Sequence, residues 1–295
     1  MRVTRRAARR LALVVAVVGL AGARVGVAHQ RPLELDEWGP FGTTAARCQR
    51  ALGSAAARCG FEAWAARRAC IEPQLAGGRC DVEATEAAVV AARQHALDKV
   101  ERYCSSAADL VSLRFVGSAD ALADVTTGCR EIETALVSAA YGPALVDTAV
   151  VPVDEPTRAC LRVGAVTLGH IARFVARAHR AALDLIADQP MTGDAKLAHV
   201  NRARQRIRRA IDKFIARASA ACPSDEFDRV YHRAVDVLVD ALAGCGECLT
   251  GIVYAQDTLV CGPPTCGNGV MEPREECDDG NANDADWCGN DCTRN

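Results

Sequence analysis

The sequence has few aromatic side chains, which make up only 4% of its 295 residues. Strands are enriched in aromatic and β-branched residues, so this scarcity argues against an aromatic-rich sheet. Half of the chain is nevertheless hydrophobic, with alanine and valine dominant, which is enough for a sizeable core. Alanine has the highest helix propensity, so the composition favours closely packed helices. The predicted fold class is therefore mostly α.

The sequence also lacks the short motifs that mark common catalytic and cofactor sites. It has no H-E-x-x-H zinc motif, no C-x-x-C-H haem motif, no G-x-S-x-G nucleophile motif and no phosphate-binding glycine loop. Its six histidines are scattered, which is typical of surface or helix-capping positions. The sequence favours a non-enzymatic protein. The alternative is an enzyme whose site is assembled from residues without a motif.

Acidic residues are absent from the first 23 residues, which carry five arginines. An apolar run from Leu11 to about Ala21 follows the arginines, and Ala21-Gly22-Ala23 fits a signal-peptidase site. The run is too short for a transmembrane helix, which needs about 20 apolar residues. Residues 1–23 are therefore predicted to be a secretory signal peptide, and no transmembrane span is expected. The mature protein would lie outside the cell, at its surface or in the periplasm.

Helical signals run through two halves of the mature chain, after an extended lead-in at residues 24–43. The halves are bounded at 44–150 and 151–262. Three cysteines match between them: Cys48 with Cys160, Cys104 with Cys222, and Cys129 with Cys245. We predict a duplication, in which two tandem antiparallel helical bundles are each pinned by disulfides. The alternative is that the halves match without a duplication, because alanine-rich helical sequences align readily with one another.

Cysteine is abundant, with 15 residues that all lie beyond the signal peptide. Export places them in an oxidising compartment, where most are expected to form disulfides. The number is odd, so at least one thiol is free or bonded to another chain. The predicted disulfides are Cys104–Cys129, Cys222–Cys245, Cys70–Cys80, Cys248–Cys261 and a bridge between the halves, Cys48–Cys160. Cys59 has no counterpart in the second half and is the predicted free thiol.

The pair Cys245 and Cys248 has the C-x-x-C spacing of redox dithiols. Such a dithiol follows a strand and lies at the start of a helix, whereas this pair follows a predicted helix. A structural disulfide role is therefore favoured over redox chemistry. With Cys261 and Cys266 the pair also approaches zinc-ribbon spacing, which export makes less favourable.

Basic residues recur at helical spacing in one segment: Arg202, Arg206, Arg209, Lys213 and Arg217. At about 100° per residue they fall within a sector of about 80°. The apolar residues expected roughly opposite are Leu197, Val200, Ile207, Ile211 and Phe214. One interpretation is a solvated face paired with Asp225, Asp236 or Asp240. The other is a patch for acidic polysaccharide or anionic envelope lipid. Because the net charge of the whole chain is only −2, nucleic acid is not an expected partner.

The chain closes with an acidic, cysteine-rich segment. Residues 266–292 contain four cysteines, eight carboxylates and four asparagines, with one basic residue. Because the segment has almost no large apolar side chains, disulfides or a bound ion must supply its order. Calcium takes about six to eight oxygen ligands from such side chains. The predicted calcium ligands are Asp278, Asp279, Asn281, Asp284, Asp286, Glu272 and Glu276. The alternative is an acidic, soluble tail without an ion.

This segment resembles the Myxococcus cysteine-rich repeat, a module at the ends of exported bacterial proteins. The matching positions include C-G-N-G, C-D-D-G-N and the final C-x₃-C, with Cys266, Cys277, Cys288 and Cys292 as the module's cysteines. The resemblance implies a small irregular module at residues 263–295 and a surface or extracellular location, without a catalytic role. The helical segment between Cys48 and Cys70 resembles helices in other alanine- and arginine-rich exported bacterial proteins, which implies no function.

Together these features predict an exported structural or interaction protein with a calcium-stabilised terminal module. The expected partner is another protein or an envelope polysaccharide.

Overall fold

The computed structural model describes residues 35–146, 149–231 and Tyr254. This part of the chain is mostly helical, as predicted. The helices are α1 (Thr43–Gln74), α2 (Val82–Tyr103), α3 (Ala107–Ser112), α4 (Ser118–Tyr141), α5 (Glu155–Asp188), α6 (Gly193–Ala221) and α7 (Ser224–Tyr231). Two short strands, β1 (Leu145–Val146) and β2 (Ala149–Val150), pair antiparallel between α4 and α5. The predicted signal peptide and the whole acidic, cysteine-rich segment lie outside the described residues.

Side-chain caps fix where several helices begin. The Asp81 carboxylate accepts a hydrogen bond from the Ala84 amide at 2.9 Å and caps α2. Thr192 caps α6 in the same way, with its hydroxyl accepting from the Ala195 amide. Asp154 caps α5, which has Pro156 in its first turn, where the missing amide of proline costs nothing.

Two sequence-based boundaries differ from the structure. The sequence predicts two helical pieces around residues 119–125 and 129–141, whereas α4 is a single helix. Packing explains the difference, because Gly128 and Cys129 are buried at the centre of α4. The predicted extended lead-in instead contains a 3₁₀ turn at Leu35–Glu37, followed by Trp38, which is only 5% exposed.

The two halves share their cores. One apolar cluster joins the second half of α1 and of α4 to α5, α6 and α7. The other joins the first half of α1 to α2, α3 and α4, and it also includes Leu183, Ile186 and Val200 from α5 and α6. Helix α5 therefore contributes to both clusters. The two antiparallel helical hairpins, α1 with α2 and α5 with α6, thus form one packed body.

Four disulfides connect these helices. Cys48–Cys104 ties the start of α1 to the residue after α2, and Cys160–Cys222 ties α5 to α6 in the same way. Cys59–Cys129 joins α1 to α4, and Cys70–Cys80 closes the turn between α1 and α2. The first two bonds occupy the positions that the sequence comparison matched between the halves.

These bonds correct most of the predicted connectivity. Cys70–Cys80 is confirmed, but the predictions Cys104–Cys129, Cys222–Cys245 and Cys48–Cys160 are wrong, and Cys59 is not free. The physical reason is the antiparallel hairpin, which brings the end of its second helix beside the start of its first. The predicted bond Cys248–Cys261 lies outside the described residues.

The eight described cysteines all pair with one another, so none of them is the unpaired cysteine that the odd total requires. The other seven of the 15 cysteines are Cys245, Cys248, Cys261, Cys266, Cys277, Cys288 and Cys292. Seven cannot pair completely within one chain, so the thiol that is free or bonded to another chain belongs to this C-terminal set. The four disulfides also indicate an oxidising compartment, extracellular or periplasmic.

In the part of the chain that the structure describes, α5 is long and apolar enough to cross a membrane by length and composition alone. Of its most apolar window, 61% is buried inside the protein. The core helix of a soluble protein passes the same test, so this is weak evidence for a membrane span.

Candidate functional site

The predicted basic stripe lies on the outer surface of α6. We define the basic face as Arg202, Arg206, Arg209, Lys213 and Arg217, all of which are exposed. The opposite side of the helix faces the core, where Val200 and Ile207 are buried. Ile211 and Phe214 are partly buried there, as predicted, but Leu197 is 44% exposed. Burial of one side thus turns the basic residues toward solvent.

The basic face has no carboxylate partner among residues 35–146 and 149–231. The Nε of Arg209 donates to the Gln205 carbonyl of its own helix at 3.2 Å. Asp225, which the sequence offered as a counterion, forms no ion pair with the face. Asp236 and Asp240 lie outside the described residues. The five positive charges are therefore not neutralised within the described structure.

Several arginines elsewhere on the described surface are paired with acids, whereas isolated ones such as Arg47, Arg102 and Arg130 form no ion pair with the described acids. Arg58 contacts Glu62 at 2.6 Å, and Arg114 contacts Glu37 at 2.7 Å. Arg50 pairs with Asp188 across α1 and α5. Against these pairs, the basic face is a concentration of uncompensated positive charge, which creates a local positive potential.

The geometry of the face suits an extended anion. Its charges recur at every third or fourth residue from Arg202 to Arg217, which corresponds to about 22 Å along the helix. Because the apolar side of α6 is buried in the core, the helix cannot insert that side into a lipid bilayer. The face itself therefore offers mainly charge and hydrogen-bond donors at the surface.

The predicted calcium ligands and the module's cysteines all lie outside the described residues. Within the described ranges, no group of three or more His, Cys, Asp and Glu side chains is placed to hold a metal ion. Of the histidines, His95 and His170 are exposed as predicted, but His179 is only 2% exposed, inside α5. The structure thus describes the basic face but not the acidic segment.

A buried ionic network went unpredicted. Glu133 on α4 is 6% exposed and accepts hydrogen bonds from Arg67 Nε at 2.7 Å and Arg93 Nη2 at 3.0 Å. Arg67 also pairs with Glu86, and its hydrogen bond lowers the pKa of that carboxyl. The network links α1, α2 and α4. Nothing in the local sequence distinguishes Glu133 from a surface glutamate, because its partners are distant in the chain.

A second unpredicted feature surrounds Tyr254, which is 1% exposed. Its hydroxyl donates to Asp184 Oδ1 on α5 at 2.9 Å, and its ring lies against Gly53 on α1. Burial raises the pKa of Tyr254 well above its ordinary value. Burial also raises the pKa of Asp184, although the hydrogen bond from Tyr254 opposes that shift. Asp184 stands between Leu183 and Leu185, and a carboxylate flanked by apolar residues is the sequence signal that could have found it.

A groove of about 360 Å³ lies beside the turn between α1 and α2. Alanines and the Cys70–Cys80 disulfide form most of its lining, together with Arg79 and Asp81. Asp81 is already engaged as the cap of α2. The groove therefore presents a small apolar surface with one arginine at its edge.

Comparison with known proteins finds a family match at the end of the chain. Residues 245–293 match the family model of a domain of unknown function, DUF4215. No curated protein and no solved structure matches the chain. The match begins at Cys245, upstream of the predicted module boundary at 263. It contains the seven cysteines without a described partner, and it also contains Tyr254.

Proposed function

We propose that the protein is an exported, non-enzymatic protein of the cell surface or extracellular matrix that binds an acidic polysaccharide through the basic face. The observation that carries the proposal is the exposure of five basic side chains without a carboxylate partner in the described structure. The N-terminal segment supports export, and so do the four disulfides.

An acidic polysaccharide fits the basic face better than an anionic membrane does. The charged part of α6 is about 22 Å long, and a linear polymer can place successive anionic groups along it. A membrane-binding helix would also bury an apolar side in the lipid, and that side of α6 is already occupied by the core. Long-range attraction between the face and the polymer would be screened by salt.

Replacement of Arg202, Arg206 and Arg209 by glutamine is expected to weaken binding to heparin, used as a model acidic polysaccharide. If each exposed ion pair contributes about 0.5 kcal/mol, the loss of three corresponds to an affinity about tenfold lower. Elution from a heparin column should occur at lower salt. Thermal unfolding should be almost unchanged, because surface substitutions usually alter stability by less than about 0.5 kcal/mol each.

A matched control is the triple substitution of Arg47, Arg102 and Arg130 by glutamine. These exposed arginines lie on three different helices. Their replacement removes the same total charge as the triple substitution in the basic face. The control should elute close to the wild type. Equal losses in both variants, or no loss in either, would contradict the proposal. Binding to anionic vesicles that exceeds binding to heparin would favour a membrane partner instead.

We further propose that the terminal module belongs to the Myxococcus cysteine-rich repeat type and is stabilised by calcium. Its support is the composition of residues 266–292, whose carboxylates and amides are the hard oxygen donors that calcium prefers. Asp279, Asn281 and Asn283 alternate as in the start of an EF-hand loop. Asp284 then stands where that loop needs glycine, so the proposed site is not an EF-hand.

Calcium is expected to raise the thermal stability of the module in the oxidised full-length protein. Extracellular modules bind calcium at about 10⁻⁴–10⁻³ M, so about 10 mM calcium would add about 1.4–2.7 kcal/mol. Scanning calorimetry with calcium, with magnesium and with a chelator measures this difference. Replacement of Asp278 and Asp279 by asparagine should abolish it. Identical melting in calcium and chelator would mean that the carboxylates serve solubility alone.

A further inference from the structure

The ring of Tyr254 occupies a notch that only glycine can form. A Cβ atom added at Gly53 would meet the ring carbon Cζ at 2.6 Å and two further atoms of Tyr254 at still shorter distances. Real Cβ atoms do not approach other heavy atoms this closely. The missing side chain at position 53 therefore admits the tyrosine ring directly against the backbone of α1.

The polar end of the ring is held by the other half of the chain. Asp184 accepts the hydrogen bond from the Tyr254 hydroxyl, and Arg180, one turn earlier on α5, donates from Nη1 to the Gly53 carbonyl at 3.1 Å. Leu52 and Leu183 belong to the same apolar cluster as Tyr254. The site thus combines a shaped apolar slot with one acceptor for the phenol, as buried tyrosines require.

The same device occurs a second time in the described structure. Gly164 on α5 lies against the hydroxyl and ring of Tyr231, and a Cβ atom there would meet Cζ at 3.0 Å. The Tyr231 hydroxyl donates to the Ala140 carbonyl at 3.1 Å. Tyr231 belongs to α7, the short helix that packs after the second hairpin. In this second case a tyrosine in a glycine notch attaches a downstream segment to the first helix of a hairpin.

We infer that the notch formed by Gly53, Arg180 and Asp184 is the docking site of the DUF4215-matching segment, residues 245–293, with Tyr254 as the anchor that holds this segment on the helical body. The segment is then attached to α1 and α5 at Tyr254. Gly53 is the specificity-determining position, because any side chain there excludes the ring.

Nitration of exposed tyrosines by tetranitromethane, followed by peptide mapping, tests this docking in the full-length oxidised protein. The chain has four tyrosines, and Tyr103 is 41% exposed, whereas Tyr141, Tyr231 and Tyr254 are buried. In the wild type, Tyr254 should react at least about tenfold more slowly than Tyr103, because a buried ring reacts only when it opens. Reaction of the two residues at similar rates would overturn the inference without any variant.

The variant Gly53→Ala should bring the nitration rate of Tyr254 close to that of Tyr103 while Tyr141 stays protected. Gly142→Ala is the matched control, because a Cβ at Gly142 meets nothing within 4 Å. It should leave all four rates unchanged. Continued protection of Tyr254 in folded Gly53→Ala protein would show that the notch does not hold the segment. If Gly53→Ala does not fold by circular dichroism, Asp184→Ala takes its place, with the same expected and contradicting rates.

Discussion

Replacement of Cys59 and Cys129 together by alanine is expected to lower the free energy of unfolding by about 4 kcal/mol. The bond closes a loop with a sequence separation of 70, so its loss frees a large ensemble of unfolded conformations. Both residues are almost fully buried between α1 and α4, and truncation of the sulfur would add a small packing loss. Urea unfolding of the oxidised protein, followed by circular dichroism, measures the change.

The matched control is the pair Cys70 and Cys80, whose separation is only 10. Its replacement by alanine should cost about 3 kcal/mol, because a shorter loop restricts the unfolded chain less. Both sulfurs are also less buried than the Cys59–Cys129 pair. A loss from the Cys59–Cys129 variant no greater than that of the control would contradict the structure's assignment of Cys59 as a bridging residue.

The sequence was sufficient for features that depend on neighbours along the chain. The helical content follows from the alanine-rich composition, and Asp81 and Thr192 are visible as caps because a cap acts within three residues. Cys70–Cys80 was predictable for the same reason, since a Pro/Gly turn alone brings the two together. The outward orientation of the basic face follows from helical periodicity, which places Ile207 opposite.

Features that depend on helix packing could not be predicted in this way. Prediction of the long-range disulfides requires knowledge of which helix ends are adjacent. The cysteine matches between the halves do not supply that information. Those matches in fact paired equivalent residues, Cys48 with Cys160, which the structure places in separate hairpins. The buried charges Glu133 and Lys196 were missed as well, because their partners come from other elements.

One of these buried charges, the ammonium of Lys196, holds the lead-in at residues 35–41 in place. Lys196, on the first turn of α6, is 2% exposed, and its Nζ donates to the carbonyls of Leu35 at 2.9 Å, Asp36 at 3.2 Å and Gly39 at 3.0 Å. A lysine ammonium has three donors and no acceptor, so three carbonyls satisfy it completely. The Phe41 amide then donates to the carbonyl of Ala187 on α5 at 2.9 Å. These bonds hold residues 35–41 across the ends of α5 and α6.

Replacement of Lys196 by methionine is therefore expected to destabilise the protein by about 3 kcal/mol. Each hydrogen bond to a charged group contributes about 1.5–3 kcal/mol, and the cost of burying the ammonium offsets part of the sum. Methionine keeps a similar length and apolar stem, so the change isolates the ammonium and leaves three carbonyls without their donor. Urea unfolding measures the loss, and hydrogen exchange at the Phe41 amide reports whether the lead-in detaches.

Lys213→Met provides the control, because Lys213 lies on the same helix but is exposed. Its effect should stay within about 0.5 kcal/mol. If Lys196→Met were equally mild and the Phe41 amide kept its protection, the ammonium would not be what retains the lead-in. Faster exchange at Phe41 with little global loss would instead mean that residues 35–41 open locally while the helical body stays folded. The two measurements together therefore separate attachment of the lead-in from stability of the helices.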